Sequence, residues 1–336
     1  MKLRWPFATE RRVSGFVDRF VANDLSAILA SIGRPSAVKI ERFAAGRSST
    51  SVRHLILADG ASLVLRAHFA ASKNRKCQNH WHLMRYLSER GFRVPRVHFR
   101  QVFPFPRGKA DVEILIEDFV EGHHVAQEMQ DDATLRHRLV ETFLSLHGDL
   151  KPWPGRPWIG KRSPDPLVAA LNRAPSRFDR IRRALGDSAA RQIEPCLKWF
   201  RENLARRTPP DSYELIHGDC NPLNFIVTPD GHIAMADVDD MVYGCFEADL
   251  VQLRWSFFDE HWWSQFCREY FEAAPARRER FDRTAHLFSA AFFLTKASRQ
   301  AASIGRATKK RDRQTAEHRR AKCRRYWHLL LQTVHL

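Results

Sequence analysis

The chain has 336 residues, 44% of them hydrophobic, which is enough to bury a sizeable core and suits two lobes. Its six cysteines lie apart without a Cys-x-x-Cys pair, which argues against a zinc site or a disulfide framework and favours a reducing cytoplasm. No apolar run approaches membrane-spanning length, and Met1 to Arg12 holds charges but no apolar region typical of a signal peptide. We therefore expect a cytoplasmic protein without a transmembrane segment.

The first predicted element is an amphipathic helix. Apolar residues recur at helical spacing from Val13 to Ile32, and the pattern ends near Gly33. Lys39 to His68 then predicts a strand, a turn and two more strands. The loop from Ala45 to Ser51 joins the first two strands. Its small residues could place backbone N–H groups and hydroxyls against phosphate oxygens, and a plain hairpin turn is the alternative.

The third of these strands presents one cation, Arg66. A guanidinium can bind phosphate oxygens with two parallel hydrogen bonds, and the alternative is a surface arginine at a strand end. A helix is predicted from Cys77 to Arg90, with His80 and His82 as exposed helix residues. Val112 to Gly122 predicts a buried strand that runs into a polar linker.

The middle of the chain is predicted to be mostly helical. One helix is expected from Asp131 to His147, followed by an irregular loop from Lys151 to Pro166. Two more helices are expected from Pro166 to Leu185 and from Ser188 to Arg207. Beyond them, the aromatic-rich stretch from Trp255 to Phe271 is typical of a helix core, and a substrate-facing aromatic wall is the alternative.

The most specific stretch lies between residues 215 and 240, where two short apolar runs flank polar loops and the tight turn Thr228 to Gly231. A hairpin here would bring Asp219, Asn224 and Asp237 to one edge. Two carboxylates and a carboxamide supply the oxygen ligands that Mg²⁺ selects. A carboxylate that is not bound to the metal could accept a proton from an attacking hydroxyl. The alternative is an ordinary polar hairpin.

The pattern His-x-Asp-x-x-x-x-Asn, followed by a strand that carries Asp, resembles the catalytic core of the aminoglycoside phosphotransferase and choline kinase-like family, relatives of protein kinases. The resemblance implies an α+β, bilobal protein kinase-like fold. A small N-terminal nucleotide-binding lobe with an antiparallel sheet would span residues 1–121. A larger, mostly helical C-terminal lobe would span residues 122–336 and bind the substrate.

The same resemblance implies a role for each polar residue of the hairpin. Asp219 would be the catalytic base, and His217 would buttress its loop. Asn224 and Asp237 would hold Mg²⁺ that bridges the nucleotide phosphates. Asp249 matches a family aspartate that supports the loop structurally.

A second copy of the tripeptide, His147-Gly148-Asp149, serves as an internal comparison. Pro154 stands where the asparagine would be needed, and no second strand with an aspartate follows. We therefore predict a helix end and a loop for this copy.

The resemblance also implies a nucleotide site for ATP, with GTP as an alternative. Its implied residues belong to the small-residue loop, the strand cation and the hinge between the lobes: Gly46, Ser48, Ser49, Arg66, Glu117, Asp118 and Phe119. At the hinge, backbone groups would bind the adenine edge. The chain departs from the family at one point, because the predicted helix from Cys77 to Arg90 has no glutamate in its first turns to pair with the phosphate-binding cation.

Nearly half of the net charge of +17 lies in residues 306–325, which hold ten Lys or Arg and two Asp or Glu. Such a cluster could meet phosphate backbones or an anionic membrane surface, and a solvated helix face is the alternative. The predicted function is phosphoryl transfer from ATP to the hydroxyl of a small molecule, with the basic excess favouring an anionic or membrane-surface acceptor. The other hypotheses are a catalytically weak kinase-fold binding protein and, ranked last, a nucleic-acid binder.

Overall fold

The computed structural model describes residues 7–42, 51–70, 76–104, 111–125, 132–257, 260–309 and 312–335. The chain forms two compact units, Met1–His123 with Phe225–Asp239, and His124–Asn224 with Asp240–Leu336. The helices are α1 (Phe7–Asn23), α2 (Leu25–Ser31), α3 (Lys76–Ser88), α4 (Ala133–Gly148), α5 (Pro166–Leu185), α6 (Asp187–Ala205), α7 (Phe246–Phe257), α8 (Glu260–Ala273), α9 (Ala276–Lys309) and α10 (Arg313–Thr333). The strands are β1 (Ala37–Arg42), β2 (Ser51–Leu57), β3 (Ser62–Ala70), β4 (Val97–Phe103), β5 (Asp111–Asp118), β6 (His123–His124), β7 (Leu150–Lys151), β8 (Gly155–Arg156), β9 (Lys161–Arg162), β10 (Tyr213–Ile216), β11 (Phe225–Val227), β12 (Ile233–Met235) and β13 (Val242–Gly244).

The first unit is built on an antiparallel sheet in the order β1-β2-β3-β5-β4. The predicted strands between Lys39 and His68 are thereby confirmed. Side chains alternate between the two faces of a strand, and β5 uses this alternation fully. Ile114 and Ile116 lie in the apolar core with α1 and α2, whereas Glu113 and Glu117 are buried on the opposite face. The sheet therefore holds two carboxylates at fixed positions inside the protein.

The single helix predicted from Val13 to Ile32 is wrong, because the chain forms two helices that are interrupted at Asp24. Asn and Asp have low helix propensity, since their side chains compete for backbone hydrogen bonds. Both helices still bury one continuous apolar set, which includes Phe20 and Leu29. The spacing of apolar residues predicted the shared core but gave no indication of the break at Asp24.

The second unit is mostly helical and contains a small sheet in the order β7-β10-β13-β8-β9. The irregular loop predicted from Lys151 to Pro166 is corrected, because β7, β8 and β9 belong to this sheet. These strands have two residues each and pair with partners far along the chain, as in Tyr213 with Lys151 and Tyr243 with Gly155. Local sequence signals cannot report such pairing. The helices predicted near α4, α5 and α6 are confirmed.

The closing helices confirm that the aromatic stretch is core, because Trp262, Phe266 and Tyr270 are buried on α8. The basic segment covers the end of α9 and the start of α10, where Cys323 and Trp327 pack inward while Arg313, Lys322, Arg324 and Arg325 are exposed. These four side chains are exposed to solvent. Among the described helices, none is long and apolar enough to cross a membrane.

Candidate active site

A buried carboxylate holds the loop that follows β10 in the second unit. Asp249, on the first turn of α7, accepts the backbone N–H of His217 at 2.7 Å and that of Gly218 at 2.8 Å. The side chain is fully buried. Burial opposes its ionisation, but hydrogen bonding and charge from His147, with the charge of His217, outweigh burial and lower the pKa of Asp249. The predicted structural role of Asp249 is confirmed.

Asp219 lies at the centre of this loop, between two residues that orient it. Its backbone N–H donates to Nδ1 of His217 at 3.3 Å, so the buried imidazole supports the loop from below. The Nδ2 group of Asn224 donates to the Asp219 carbonyl oxygen at 2.9 Å and approaches its carboxylate Oδ2 at 3.4 Å. With Nδ2 engaged in this way, Oδ1 is the atom that Asn224 would present to a cation.

The tight path of the loop requires a glycine between His217 and Asp219. Gly218 has φ of +77°, and a Cβ atom at this position would lie 2.6 Å from the carbonyl oxygen of Asp240. An L-amino acid would meet both left-handed strain and a backbone clash here.

The second tripeptide copy ends α4, as predicted, but its histidine has a role that sequence reasoning missed. His147 is fully buried, with Nε2 3.3 Å from Oδ2 of Asp249 and Nδ1 2.8 Å from the hydroxyl of Tyr270. It therefore packs beneath the carboxylate that holds the Asp219 loop. Asp249 and Tyr270 are 102 and 123 residues away from His147 along the chain. The one hint in the sequence was a histidine on the apolar face of a predicted helix.

The first unit contains a buried ionic network around the strand cation. Nε of Arg66 on β3 donates to Glu117 on β5 at 2.5 Å. Glu117 also contacts Nε2 of His80 on α3 at 2.7 Å, and Nδ1 of His80 contacts Asp239 at 3.1 Å. The glutamate missing from the helix is thus supplied by the sheet. The prediction that His80 is exposed is wrong, because the ring is buried between two carboxylates.

This network has strong electrostatic coupling. Burial alone would neutralise His80, but Glu117 and Asp239 outweigh it and raise the pKa of His80 to about 9. Burial is likewise outweighed at Glu117, where the charges of Arg66 and His80 lower the pKa to about 2. At neutral pH the network therefore holds two cations and two carboxylates, with the guanidinium of Arg66 oriented by its Nε bond. Its other N–H groups are the donors it would offer to phosphate oxygens.

Asp237 follows β12 in the first unit and has an unusual backbone. It is a non-glycine residue with φ of +49°, a left-handed conformation that is uncommon outside functional or strained sites. Its charge, like that of Asp239, acts on Arg66. Oxygen donors of this kind fit Mg²⁺, which binds through one or two protein groups together with substrate phosphates. Within the described residues, no group of three or more His, Cys, Asp or Glu could hold a metal ion by itself.

The predicted hinge residues lie at the end of β5: Glu117 and Asp118 are its last two residues, and Phe119 follows it. The backbone N–H of Asp118 donates to the Arg96 carbonyl at 3.0 Å, and that of Phe119 donates to the Ser62 carbonyl at 3.2 Å. The Glu117 side chain serves the Arg66 network. Because these two donors are already engaged, base recognition at the hinge would use carbonyl oxygens or the residues that follow. The predicted phosphate-loop residues Gly46, Ser48 and Ser49 lie outside the described residues.

An antiparallel sheet unit with a paired strand cation, together with a His-Gly-Asp loop in a helical unit, defines the class of kinase-like phosphotransferases. A family model described as the phosphotransferase enzyme family (APH) matches residues 39–284. The chain belongs to this family. A comparison with curated proteins found no match.

Solved structures show the same fold. A thermostable mutant of aminoglycoside phosphotransferase APH(4)-Ia, in ternary complex with AMP-PNP and hygromycin B, has a TM-score of 0.61 at 12% identity, covering 91% of this chain and 98% of its own. The GDP complex of aminoglycoside 2'-phosphotransferase-IIIa has a TM-score of 0.62 at 16% identity, covering 91% and 99%. Choline kinase LicA from Streptococcus pneumoniae has a TM-score of 0.60 at 11% identity, covering 93% and 99%. At these identities the likeness concerns the fold.

Proposed function

We propose that the chain transfers the γ-phosphoryl group of ATP, with GTP as an alternative donor, to a hydroxyl of a small molecule. The observation that carries this proposal is the Asp219 loop, which is fixed from one side by Asp249 and His217 and from the other by Asn224. Membership of a phosphotransferase family supports it, and so do solved relatives that were crystallised with AMP-PNP or GDP.

Each site residue has a part in the proposed reaction. Asp219 orients the acceptor hydroxyl and takes its proton while the hydroxyl oxygen forms a bond to the γ-phosphorus. The bond from that phosphorus to the bridging oxygen breaks, and its electron pair leaves with the nucleoside diphosphate. Asn224 and Asp237 would hold Mg²⁺, which would neutralise charge on the phosphates. His217 positions Asp219 through the backbone.

The nucleotide is held by residues of the first unit in this proposal. Arg66, kept in place by Glu117, binds phosphate oxygens together with the loop that contains Gly46, Ser48 and Ser49. Backbone groups near Asp118 and Phe119 bind the base. Catalysis by such a site is mainly positioning and electrostatic stabilisation.

The first test is nucleotide binding by thermal shift, with ATP or GTP and with or without Mg²⁺. A ligand that binds only the folded state raises the melting temperature. We expect a magnesium-dependent increase in the wild type that is lost in Asp237→Ala. Asp230→Ala is the matched control, because this exposed aspartate lies on the same hairpin and pairs with Arg93. No magnesium-dependent increase with either nucleotide would refute the proposal.

The second test is turnover of the nucleotide in the Asp219→Asn variant. Removal of a general base lowers the rate about 10²- to 10⁴-fold. We expect a loss of this size in nucleoside diphosphate release, while the magnesium-dependent thermal shift is retained. Unchanged turnover in this variant would show that Asp219 is not the base.

A further inference from the structure

A small basic cavity in the second unit adjoins the Asp219 loop. It lies between α5, α7 and α9, has a volume of about 210 Å³, and reaches the backbone of Gly218. Nε2 of Gln252, on α7, donates to the Gly218 carbonyl oxygen at 3.1 Å and closes this end. One wall of the cavity is therefore formed by the residue that precedes the proposed base.

Four cationic side chains line the same cavity. Arg173 and Arg177 lie one turn apart on α5, and Lys296 and Arg299 lie one turn apart on α9. Within the described part of the chain, none of the four forms an ion pair with a carboxylate; Nζ of Lys296 lies 5.0 Å from the ring centroid of Phe292. Partial burial and then the charges of Arg173 and Arg299 lower the pKa of Arg177. The cluster thus gathers four like charges at one cavity, with Arg173 and Arg299 exposed to solvent and Arg177 and Lys296 half-buried.

A second cavity shows that this arrangement is not typical of the unit. The larger cavity at α7, α8 and α9, of about 820 Å³, also contains arginines. There Arg254 pairs with Glu260 at 3.1 Å, and Arg278 pairs with Asp282 at 2.8 Å. Two of the three arginines that line that cavity therefore have a carboxylate partner, whereas among the described residues none of the four cations beside Gly218 forms such an ion pair.

We propose that the cavity between α5, α7 and α9 binds an anionic group of the acceptor, so that the substrate is a small hydroxyl compound carrying a phosphate or a carboxylate. This inference rests on the proposed phosphoryl transfer and names its acceptor class. Lys296 lines the cavity together with Gly218 and the three arginines. Burial and the charge of Arg299 lower the pKa of Lys296, whereas the charges of Asp219 and Asp240 oppose this shift. An acceptor bound with its anion at the arginines would direct its hydroxyl toward Asp219.

The same charges disfavour cationic acceptors. Aminoglycosides and choline carry positive charge and would favour an acidic or aromatic pocket, whereas Arg173, Arg177 and Arg299 would repel them. The volume of about 210 Å³ is also below the usual range for drug-sized ligands. A compact, singly substituted acceptor fits this space better than a molecule of several rings.

The test is calorimetric titration of the whole chain with inorganic phosphate and, separately, with malonate. Both titrations are done with Mg²⁺ and a saturating non-hydrolysable nucleotide, so that the nucleotide site is filled. We expect wild type to bind at least one of the two anions and the double variant Arg173→Ala/Arg177→Ala to bind it at least tenfold more weakly. Preference for phosphate or malonate identifies the anionic group of the acceptor.

Arg183→Ala is the matched control, because this exposed arginine lies on the same helix and pairs with Asp179. It should leave anion affinity unchanged. Failure of both anions to bind wild type, or equal affinity in the double variant, would overturn the proposal. The melting temperature without anion provides a folding check, and removal of mutually repelling arginines should leave it unchanged or raise it.

A panel of acceptors separates this inference from the proposed reaction. Neutral sugars, their phosphate and uronate derivatives, choline and kanamycin are each offered with nucleotide and Mg²⁺. The inference predicts that anionic members have the highest kcat/KM and that Arg177→Ala raises their KM at least tenfold with a smaller change in kcat. Turnover that favours neutral or cationic members would overturn the acceptor class and leave phosphoryl transfer intact. Absence of magnesium-dependent nucleotide binding would instead overturn the proposed function.

Discussion

The buried histidine of α3 should make the stability of the protein depend on pH. His80 has a pKa of about 9 in the folded protein against an ordinary value of 6.5. A raised pKa means that the charged imidazole stabilises the fold fully below about pH 6.5, and that this stabilisation is lost as the pH rises through about 9. The groups responsible are Glu117 and Asp239, opposed by the charge of Arg66 and by burial.

The magnitude follows from these two pKa values. At 1.36 kcal/mol per unit, ionisation of His80 contributes about 3 kcal/mol near pH 6 and less than about 1 kcal/mol near pH 9. The low pKa of Glu117 expresses the same attraction, so the two are counted once. Replacement by asparagine removes the titrating group. The free energy of unfolding of His80→Asn should therefore fall well below that of wild type near pH 6. The difference between the two chains should become smaller by more than about 2 kcal/mol near pH 9.

Urea denaturation of wild type and variant at the two pH values measures this gap, and subtraction cancels titrations that both chains share. His82→Asn on the same helix is the control, because burial and then Arg100 and Arg85 lower the pKa of His82. The difference in free energy of unfolding between wild type and His82→Asn should not become smaller between about pH 6 and 9. An NMR titration of the His80 ring gives the pKa directly. A gap for His80→Asn that is independent of pH, or a ring that titrates near 6.5, would refute the reasoning.

Three further predictions concern groups that hold the site. Gly218→Ala should cost more than about 2 kcal/mol of stability in thermal denaturation, because its Cβ would lie 2.6 Å from a backbone oxygen. Gly148→Ala, in the second tripeptide, is the control. A Cβ at that position meets nothing within 4 Å, so this variant should be as stable as wild type. Asp249→Asn should cost about 3 kcal/mol and lower turnover, because two backbone N–H groups lose their carboxylate; equal turnover at full stability would contradict this. Glu117→Gln should weaken nucleotide binding about tenfold in a fluorescence titration, because Arg66 loses its charged partner; an unchanged Kd would contradict this.

The sequence was informative wherever the signal was local. The turn and the spacing from Asp219 to Asn224 predicted the hairpin, and β11 pairs with β12 with Phe225 opposite Met235. Helical spacing predicted α4, α5 and α6 for the same reason. The resemblance to the family also pointed to Asp249, because this residue matches a family aspartate that follows the hairpin in the chain.

Residues that depend on distant partners could not be predicted. His80 was expected on an exposed face because its own helix gives no reason to bury it, and its partners Glu117 and Asp239 are 37 and 159 residues away. The basic cavity was equally hidden, since Arg173 and Lys296 lie on helices that meet only in the folded unit. Total charge drew attention to residues 306–325, whereas the unpaired cluster lies on other parts of α5 and α9.

The position of Glu117 on a strand has a consequence for control of the protein. In protein kinases the corresponding acid is carried by a helix, and displacement of that helix separates the ion pair and switches the enzyme off. Here Arg66 and Glu117 lie on adjacent hydrogen-bonded strands, where Val64 is opposite Glu117, so the sheet register fixes their separation. Movement of α3 would withdraw His80 and leave the pair intact. The ion pair of the proposed phosphate-binding cation is therefore held by strand pairing, and displacement of α3 alone would not separate it.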